Sequence, residues 1–179
     1  MKISIIGSDG RGDEAEKLNF KVYLKMYHHL KEFIYSIMNE YRIKIYDIEL
    51  ISGGSPWADH LAILFFFENP QVKLTLHFPC VFIDTRFERN RYGNILNELH
   101  QKFSEKCNMN SLWQIEKAIE LGAQTYYHDG FFRRNDLIAE TDFMIAFTFG
   151  IDQPKPGGTK DIWNKFKSTN KIHFNIAKV

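Results

Sequence analysis

Three glycine-rich segments follow short apolar runs and contain residue types that can bind a phosphate group. Glycine lacks a Cβ, so its backbone can adopt positive φ and its amide can approach an anion closely. Serine and threonine hydroxyls add further donors. The segments are therefore predicted to bind phosphate, with tight structural turns as the alternative. Their predicted ligand-binding residues are Gly7, Ser8, Ser52, Gly53, Gly54, Ser55, Gly157, Gly158 and Thr159.

Charged and polar residues close to these turns extend the predicted site. Arg11 falls within the first turn, and Arg134 with Asn135 precedes the apolar run that leads to the third. A guanidinium can bind phosphate through two parallel hydrogen bonds; the alternative for both arginines is an exposed side chain near a helix start. Asp59 would repel a phosphate, so it is predicted to accept hydrogen bonds from ribose hydroxyls or to stabilise its helix N-terminus.

Apolar runs and amphipathic segments alternate along the chain. Runs of strand type are followed by segments with apolar residues at spacings of three and four, which predicts βα units. Asp13 is predicted to cap the first helix, with Glu16 completing a capping box. The predicted strands are 3–6, 46–51, 72–78, 143–149 and 172–176, and the predicted helices are 13–41, 57–68, 111–122, 134–140 and 159–167.

This alternation predicts an α/β fold with a doubly wound, mostly parallel sheet between two helical layers. Ligands in such sheets bind at the carboxyl ends of the strands, so all three turns are expected at one edge. The length of 179 residues suits one domain. Residues 80–110 break the pattern and are predicted to be an insertion containing one helix.

Composition narrows the classes of function. The formal net charge of +1 does not favour nucleic acid or an anionic membrane as partner. Cys80 and Cys107 are far apart and lack a metal-ligand pattern, so no metal site is predicted. No signal peptide or membrane span is apparent, which predicts a cytoplasmic protein, and no cofactor is expected.

The residues of the three turns, with a second set between positions 99 and 163, resemble the SLOG superfamily. That superfamily includes the Lonely Guy phosphoribohydrolases, the Rossmann domain of DNA-processing protein A and predicted nucleotide sensors. The second set is similar to a branch found in phages and other genomes. The residues that carry the resemblance are Gly7-Ser8, Ser52-Gly53-Gly54, Ala58-Asp59, Leu99-His100, Phe103-Ser104, Gly130-Phe131, Arg134-Asn135, Ala146-Phe147-Thr148, Gly150 and Gly157-Gly158-Thr159.

The resemblance implies a modified Rossmann fold, often a homodimer, that binds a nucleotide derivative. Nucleoside monophosphates, ADP-ribose and NAD-like molecules are the implied ligand classes. The expected partners are therefore a nucleotide-derived small molecule and a second copy of the chain. A sensor or binding module is the function that this resemblance favours.

Cleavage of a nucleotide N-glycosidic bond is the enzymatic alternative. Asp161 or Asp59 would stabilise the oxocarbenium-like centre, and Arg134 would hold the phosphate. In the Lonely Guy enzymes the glycine motif continues to a pair of glutamates, whereas here Thr159 is followed by Lys160 and Asp161. The missing second carboxylate favours the binding module, with Asp161 as a solvated or helix-capping residue.

Single-stranded nucleic acid is a second alternative ligand. Arginines 86, 89 and 91 alternate with aromatic residues within the predicted insertion, a composition that can form a charged groove with stacking rings. The competing interpretation is a solvated insertion that closes over the ligand or contacts a second copy. The aromatic residues concerned are Phe82, Phe87 and Tyr92.

Overall fold

A parallel sheet of six strands forms the centre of the protein, in the order β6-β3-β2-β1-β7-β8. The structure is a computed structural model that describes residues 1–178. A short antiparallel hairpin, β4 and β5, lies outside this sheet. The strands are β1 Lys2–Gly7, β2 Glu49–Ser52, β3 Lys73–Phe78, β4 Phe82–Ile83, β5 Arg86–Phe87, β6 Gln124–Tyr127, β7 Phe143–Thr148 and β8 Lys171–Asn175.

Helices cover both faces of the sheet and bury two separate apolar cores. Alternate residues of one strand face opposite sides, so Ile145 of β7 joins the core under α1–α4 while Met144 joins the core under α5 and α6. This confirms the predicted doubly wound, three-layer α/β architecture. The helices are α1 Phe20–Tyr41, α2 Leu61–Glu68, α3 Arg91–Cys107, α4 Ser111–Glu120, α5 Phe131–Ala139 and α6 Gly158–Lys165.

The strand order reverses between β1 and β7. From β1 the chain adds β2 and β3 in one direction, whereas β7 and β8 lie on the other side of β1. The loops that leave β1 and β7 therefore diverge to opposite faces of the sheet. Such a divergence opens a crevice at the carboxyl ends of the two strands.

The first helix begins later than predicted. The side chain of Asn19 accepts a hydrogen bond from the Val22 amide at 3.1 Å and caps α1. Gly12–Lys17 is a separate 3₁₀ helix, so the prediction that Asp13 caps the long helix is wrong. The physical reason is that buried Leu18 anchors an extended link between the two helices.

The second helix also begins later, at Leu61 instead of residue 57. Trp57 adopts left-handed backbone, with φ of 61°, and its side chain is buried in the core. Its indole occupies the space beside Gly10, where an added Cβ would lie 2.6 Å from the indole nitrogen. Packing of this large ring therefore holds residue 57 outside the helix.

Residues 80–110 are an integral part of one helical layer. Phe82 and Phe87 of the hairpin are buried in the same core as Leu96 and Phe103 of α3. A buried ring cannot stack on a nucleotide base, so the predicted nucleic-acid groove involving Phe82 and Phe87 is wrong. Strand β6 was not predicted from the sequence, because its residues are largely exposed at the edge of the sheet and form no apolar run.

Candidate functional site

A cavity of about 720 Å³ opens at the carboxyl ends of β1 and β7, where the strand order reverses. Its walls come from the first and third glycine turns, the second turn and the start of α5. The predicted residues that line it are Gly7, Ser8, Arg11, Ser55, Asp59, Arg134, Asn135, Gly157, Gly158 and Thr159.

The first turn fixes the base of the cavity through its backbone. The Ser8 amide donates to the Phe147 carbonyl at 2.8 Å, which extends the β1–β7 pairing beyond the strands. A Cβ at Gly7 would lie 2.1 Å from the same carbonyl oxygen, so only glycine fits there. The Ser8 hydroxyl donates to the Glu14 carboxylate and is therefore already engaged.

The third turn presents open backbone to the cavity. Gly157 has a φ of 146°, a conformation that favours glycine, and it directly precedes α6. A Cβ at Gly157 or Gly158 would meet nothing within 4 Å. The first amides of a helix lack intrahelical partners and carry partial positive charge. The Thr159 hydroxyl, predicted as a donor, donates instead to the Gly7 carbonyl at 2.9 Å.

The second turn reaches the cavity only through Ser55 and Asp59; Ser52, Gly53 and Gly54 do not line it. The Ser52 hydroxyl donates to the Asp59 carbonyl at 2.9 Å, inside the core. Gly54 has a φ of 69°, and a Cβ there would lie 2.2 Å from the Phe78 ring. These three residues shape the wall behind the cavity.

Arg134 is buried, which contradicts the exposed alternative considered from the sequence. Its guanidinium donates to the Gly53 carbonyl and, at 3.3 Å, to the Ser55 hydroxyl. The guanidinium also lies 4.8 Å from the centroid of the Phe131 ring. Its Nε has no hydrogen-bond partner among residues 1–178. The geometry therefore makes Arg134 a link between α5 and the second turn.

Asp59 is a buried carboxyl close to this guanidinium. Burial raises its pKa to about 6, while the positive charge of Arg134 and the amide of Ser55 lower it. The Ser55 amide donates to Asp59 Oδ2 at 3.3 Å. A carboxyl group with a pKa near neutrality in a cleft can accept hydrogen bonds or exchange a proton.

Arg11 and Asp9 form an ion pair at the rim, with Nε and Oδ2 separated by 2.8 Å. The Arg11 guanidinium lies 5.2 Å from the centroid of the Phe131 ring, which thus contacts two guanidinium groups. Burial raises the pKa of Asp9, against the opposing charges of Arg11 and Arg134. The rim therefore carries both signs of charge.

Asp161 is not brought to the cavity. Its Oδ2 accepts a hydrogen bond from Asn135 at 3.1 Å and forms an ion pair with Lys165 at 2.9 Å. Asn135 does line the cavity, so Asp161 positions that amide from behind. The carboxyl groups that line the cavity are consequently those of Asp9, Glu14 and Asp59.

Several lining residues escaped the sequence analysis. Phe131 and Phe132 begin α5, and Lys155 and Pro156 precede the third turn. Their placement depends on loop paths that lack a periodic pattern. The position of Lys155 two residues before Gly157 was the available signal, because basic residues near helix-starting glycines can bind anions. Among residues 1–178, no group of acidic, histidine or cysteine side chains is arranged to hold a metal ion.

The chain is similar to a viral protein over nearly its whole length. The chain is 39% identical over 186 aligned residues to Uncharacterized protein R261 of Acanthamoeba polyphaga mimivirus, covering 99% of this chain and 97% of the relative. The chain belongs to the family of this mimivirus protein. No family model and no solved structure matches the chain.

No helix in residues 1–178 is both long and apolar enough to span a membrane. The resemblance to the SLOG superfamily, the homodimer and the cytoplasmic location stay predictions.

Proposed function

We propose that the cavity binds a nucleotide or nucleotide-derived ligand, with the phosphate at the N-terminus of α6. The observation that carries this proposal is that the first and third glycine turns open into one cavity where the strand order reverses. Its volume of about 720 Å³ falls within the range of about 300–1,000 Å³ for small-molecule pockets.

The start of α6 is the favourable place for the anion. The amides of Gly158 and Thr159 are in the first turn of a helix, where the peptide dipoles attract negative charge. The adjacent Lys155 adds a positive side chain to the same wall. The absence of steric neighbours at Gly157 and Gly158 leaves room for phosphate oxygens against the backbone.

A second part of the lining suits uncharged hydroxyl groups. Asp59 and Ser55 line it, and a carboxylate there accepts hydrogen bonds from a ribose diol while repelling phosphate. We therefore propose that the sugar contacts Asp59 and Ser55 while the phosphate contacts the start of α6. The balance of charge in the lining does not favour a highly charged anion such as a nucleoside triphosphate. The lining includes three acidic and three basic side chains, which are Asp9, Glu14, Asp59, Arg11, Lys155 and Arg134.

Most features of the site fit a binding module, such as a sensor. The guanidinium of Arg134 and the hydroxyls of Ser8 and Thr159 are engaged in holding the protein together. These groups form a preorganised receptor. The carboxylate of Asp161, a candidate for glycosidic-bond cleavage, is paired with Lys165.

Nucleotide N-glycosidase activity is the second candidate, favoured by one observation. Asp59 lines the cavity and has a pKa raised by burial to about 6, a property found in catalytic acids and bases. In that case Asp59 would stabilise the positive charge that develops at the sugar carbon. Asp59→Asn should then abolish release of free base while the nucleotide still binds.

Thermal unfolding with a panel of nucleoside monophosphates, ADP-ribose and NAD tests the proposal. A ligand at one hundred times its Kd stabilises the folded state by about 2.7 kcal/mol, which is a measurable shift in Tm. Chromatography of the same samples for free base separates the two candidates. A shift without base release supports the binding module, and no shift with any ligand contradicts both.

A further inference from the structure

Phe132 is an exposed aromatic residue in the wall of the cavity. It lines the cavity, and its side chain is 77% exposed. Among residues 1–178 it is the one large apolar side chain that is both exposed and part of the cavity wall. It lies in the first turn of α5, so a helix fixes its backbone.

The neighbouring Phe131, unlike Phe132, already has packing partners within the protein. Its edge packs against Tyr92, with ring centroids 5.3 Å apart, and two guanidinium groups lie near its face. Phe131 therefore belongs to the framework of the site. No aromatic or cationic partner contacts the Phe132 ring within residues 1–178. Its face is available to a ligand.

We propose that Phe132 is the stacking platform for a planar aromatic base, which makes the cavity selective for nucleotides over sugar phosphates. This rests on the proposed function, because it places the base of the ligand whose phosphate lies at α6. Every nucleobase has a π-face, so stacking provides affinity without selecting one base. The residue thus determines the class of ligand.

Calorimetric titration of the full chain with the four ribonucleoside monophosphates and with ribose 5-phosphate tests this proposal. Loss of one base-stacking contact lowers affinity by about 5-fold to 150-fold. Phe132→Ala should weaken nucleotide binding by at least about 5-fold and leave ribose 5-phosphate unchanged. Phe132→Trp should retain nucleotide affinity. Ile83→Ala is the matched control, since that side chain is exposed on the hairpin away from the cavity.

Each result has one meaning. A selective loss of nucleotide affinity in Phe132→Ala, restored by Phe132→Trp, supports the platform. If nucleotides and ribose 5-phosphate bind equally to the unmodified protein, or if Phe132→Ala weakens both equally, the platform is wrong while the phosphate site stands. If neither class of ligand binds the unmodified protein, and ADP-ribose and NAD do not raise its Tm either, the proposed function fails and the platform fails with it.

Discussion

The carboxyl group of Asp59 and the guanidinium of Arg134 occupy the space where a side chain of residue 53 would lie. A Cβ at Gly53 would be 2.7 Å from Asp59 Oδ2 and 3.0 Å from Arg134 Cζ. The glycine therefore permits two buried charges from different elements to meet at the back of the cavity. The second glycine turn therefore contributes to the site by leaving room for these two side chains to pack, and Gly53 itself does not line the cavity.

Gly53→Ala should consequently destabilise the protein. The added methyl group must displace a buried charged side chain, and overpacking of this kind costs about 1–3 kcal/mol. Urea unfolding gives the free energy change directly. Gly158→Ala is the matched control and should be at least as stable as the unmodified protein, because its Cβ meets no atom within 4 Å and alanine favours a helix by up to about 1 kcal/mol over glycine. Equal stability of both variants would contradict the close approach at Gly53.

Arg134→Gln should lower the free energy of unfolding by about 3 kcal/mol, because it leaves the buried Asp59 carboxyl without its opposing charge. Adding Asp59→Asn should recover at least about 1 kcal/mol, since the effects of substitutions at two residues in contact do not simply add. A double-mutant cycle by urea unfolding near neutral pH measures this coupling. Strictly additive effects would show that the two charges do not interact.

Stability should fall as the pH is lowered below about 6.5. Burial lowers the pKa of His60 to about 4 and that of His100 to about 3. Below the ordinary histidine pKa of about 6.5, the unfolded chain binds protons that the folded protein does not, so acid favours unfolding. Protonation of Asp59, whose pKa is raised to about 6, has the opposite sign.

His77, whose pKa burial also lowers to about 4, adds to this loss, and Asp9, whose pKa burial raises, opposes it together with Asp59. The histidines outweigh the carboxyls, so the free energy of unfolding should fall by about 2–3 kcal/mol between about pH 6.5 and pH 5. Urea midpoints at these two pH values provide the measurement. His100→Gln should flatten the dependence, since it removes one of the titrating groups. In the folded protein its Nε2 donates to the Gly54 carbonyl at 3.0 Å and its Nδ1 accepts from the Ser111 hydroxyl at 2.9 Å, which holds the ring neutral. A pH-independent midpoint would contradict neutral burial of these rings.

Periodic and buried features were predictable from the sequence, whereas loop paths were not. The apolar run of β7 indicated a strand buried on both faces, and all six of its residues are buried. The exposed edge strand β6 gave no such signal. The buried position of Arg134 depends on Gly53, which lies 81 residues away in the chain, and local patterns do not report such a contact.

The proposed phosphate site lies at the start of α6, and substitution of residue 158 tests it most directly. Gly158→Asp introduces a carboxylate where the anion is proposed to bind, and its Cβ has open space. An acidic residue in the first helical turn stabilises a helix by about 0.3–1 kcal/mol, so folding should be preserved. Gly158→Asn is the control of equal size without the charge.

Calorimetric titration of both variants with the nucleoside monophosphate that gives the largest Tm shift decides the matter. Repulsion between two anions should weaken binding by at least about tenfold in Gly158→Asp, while Gly158→Asn should stay within about threefold of the unmodified protein. Unchanged affinity in Gly158→Asp would contradict the account.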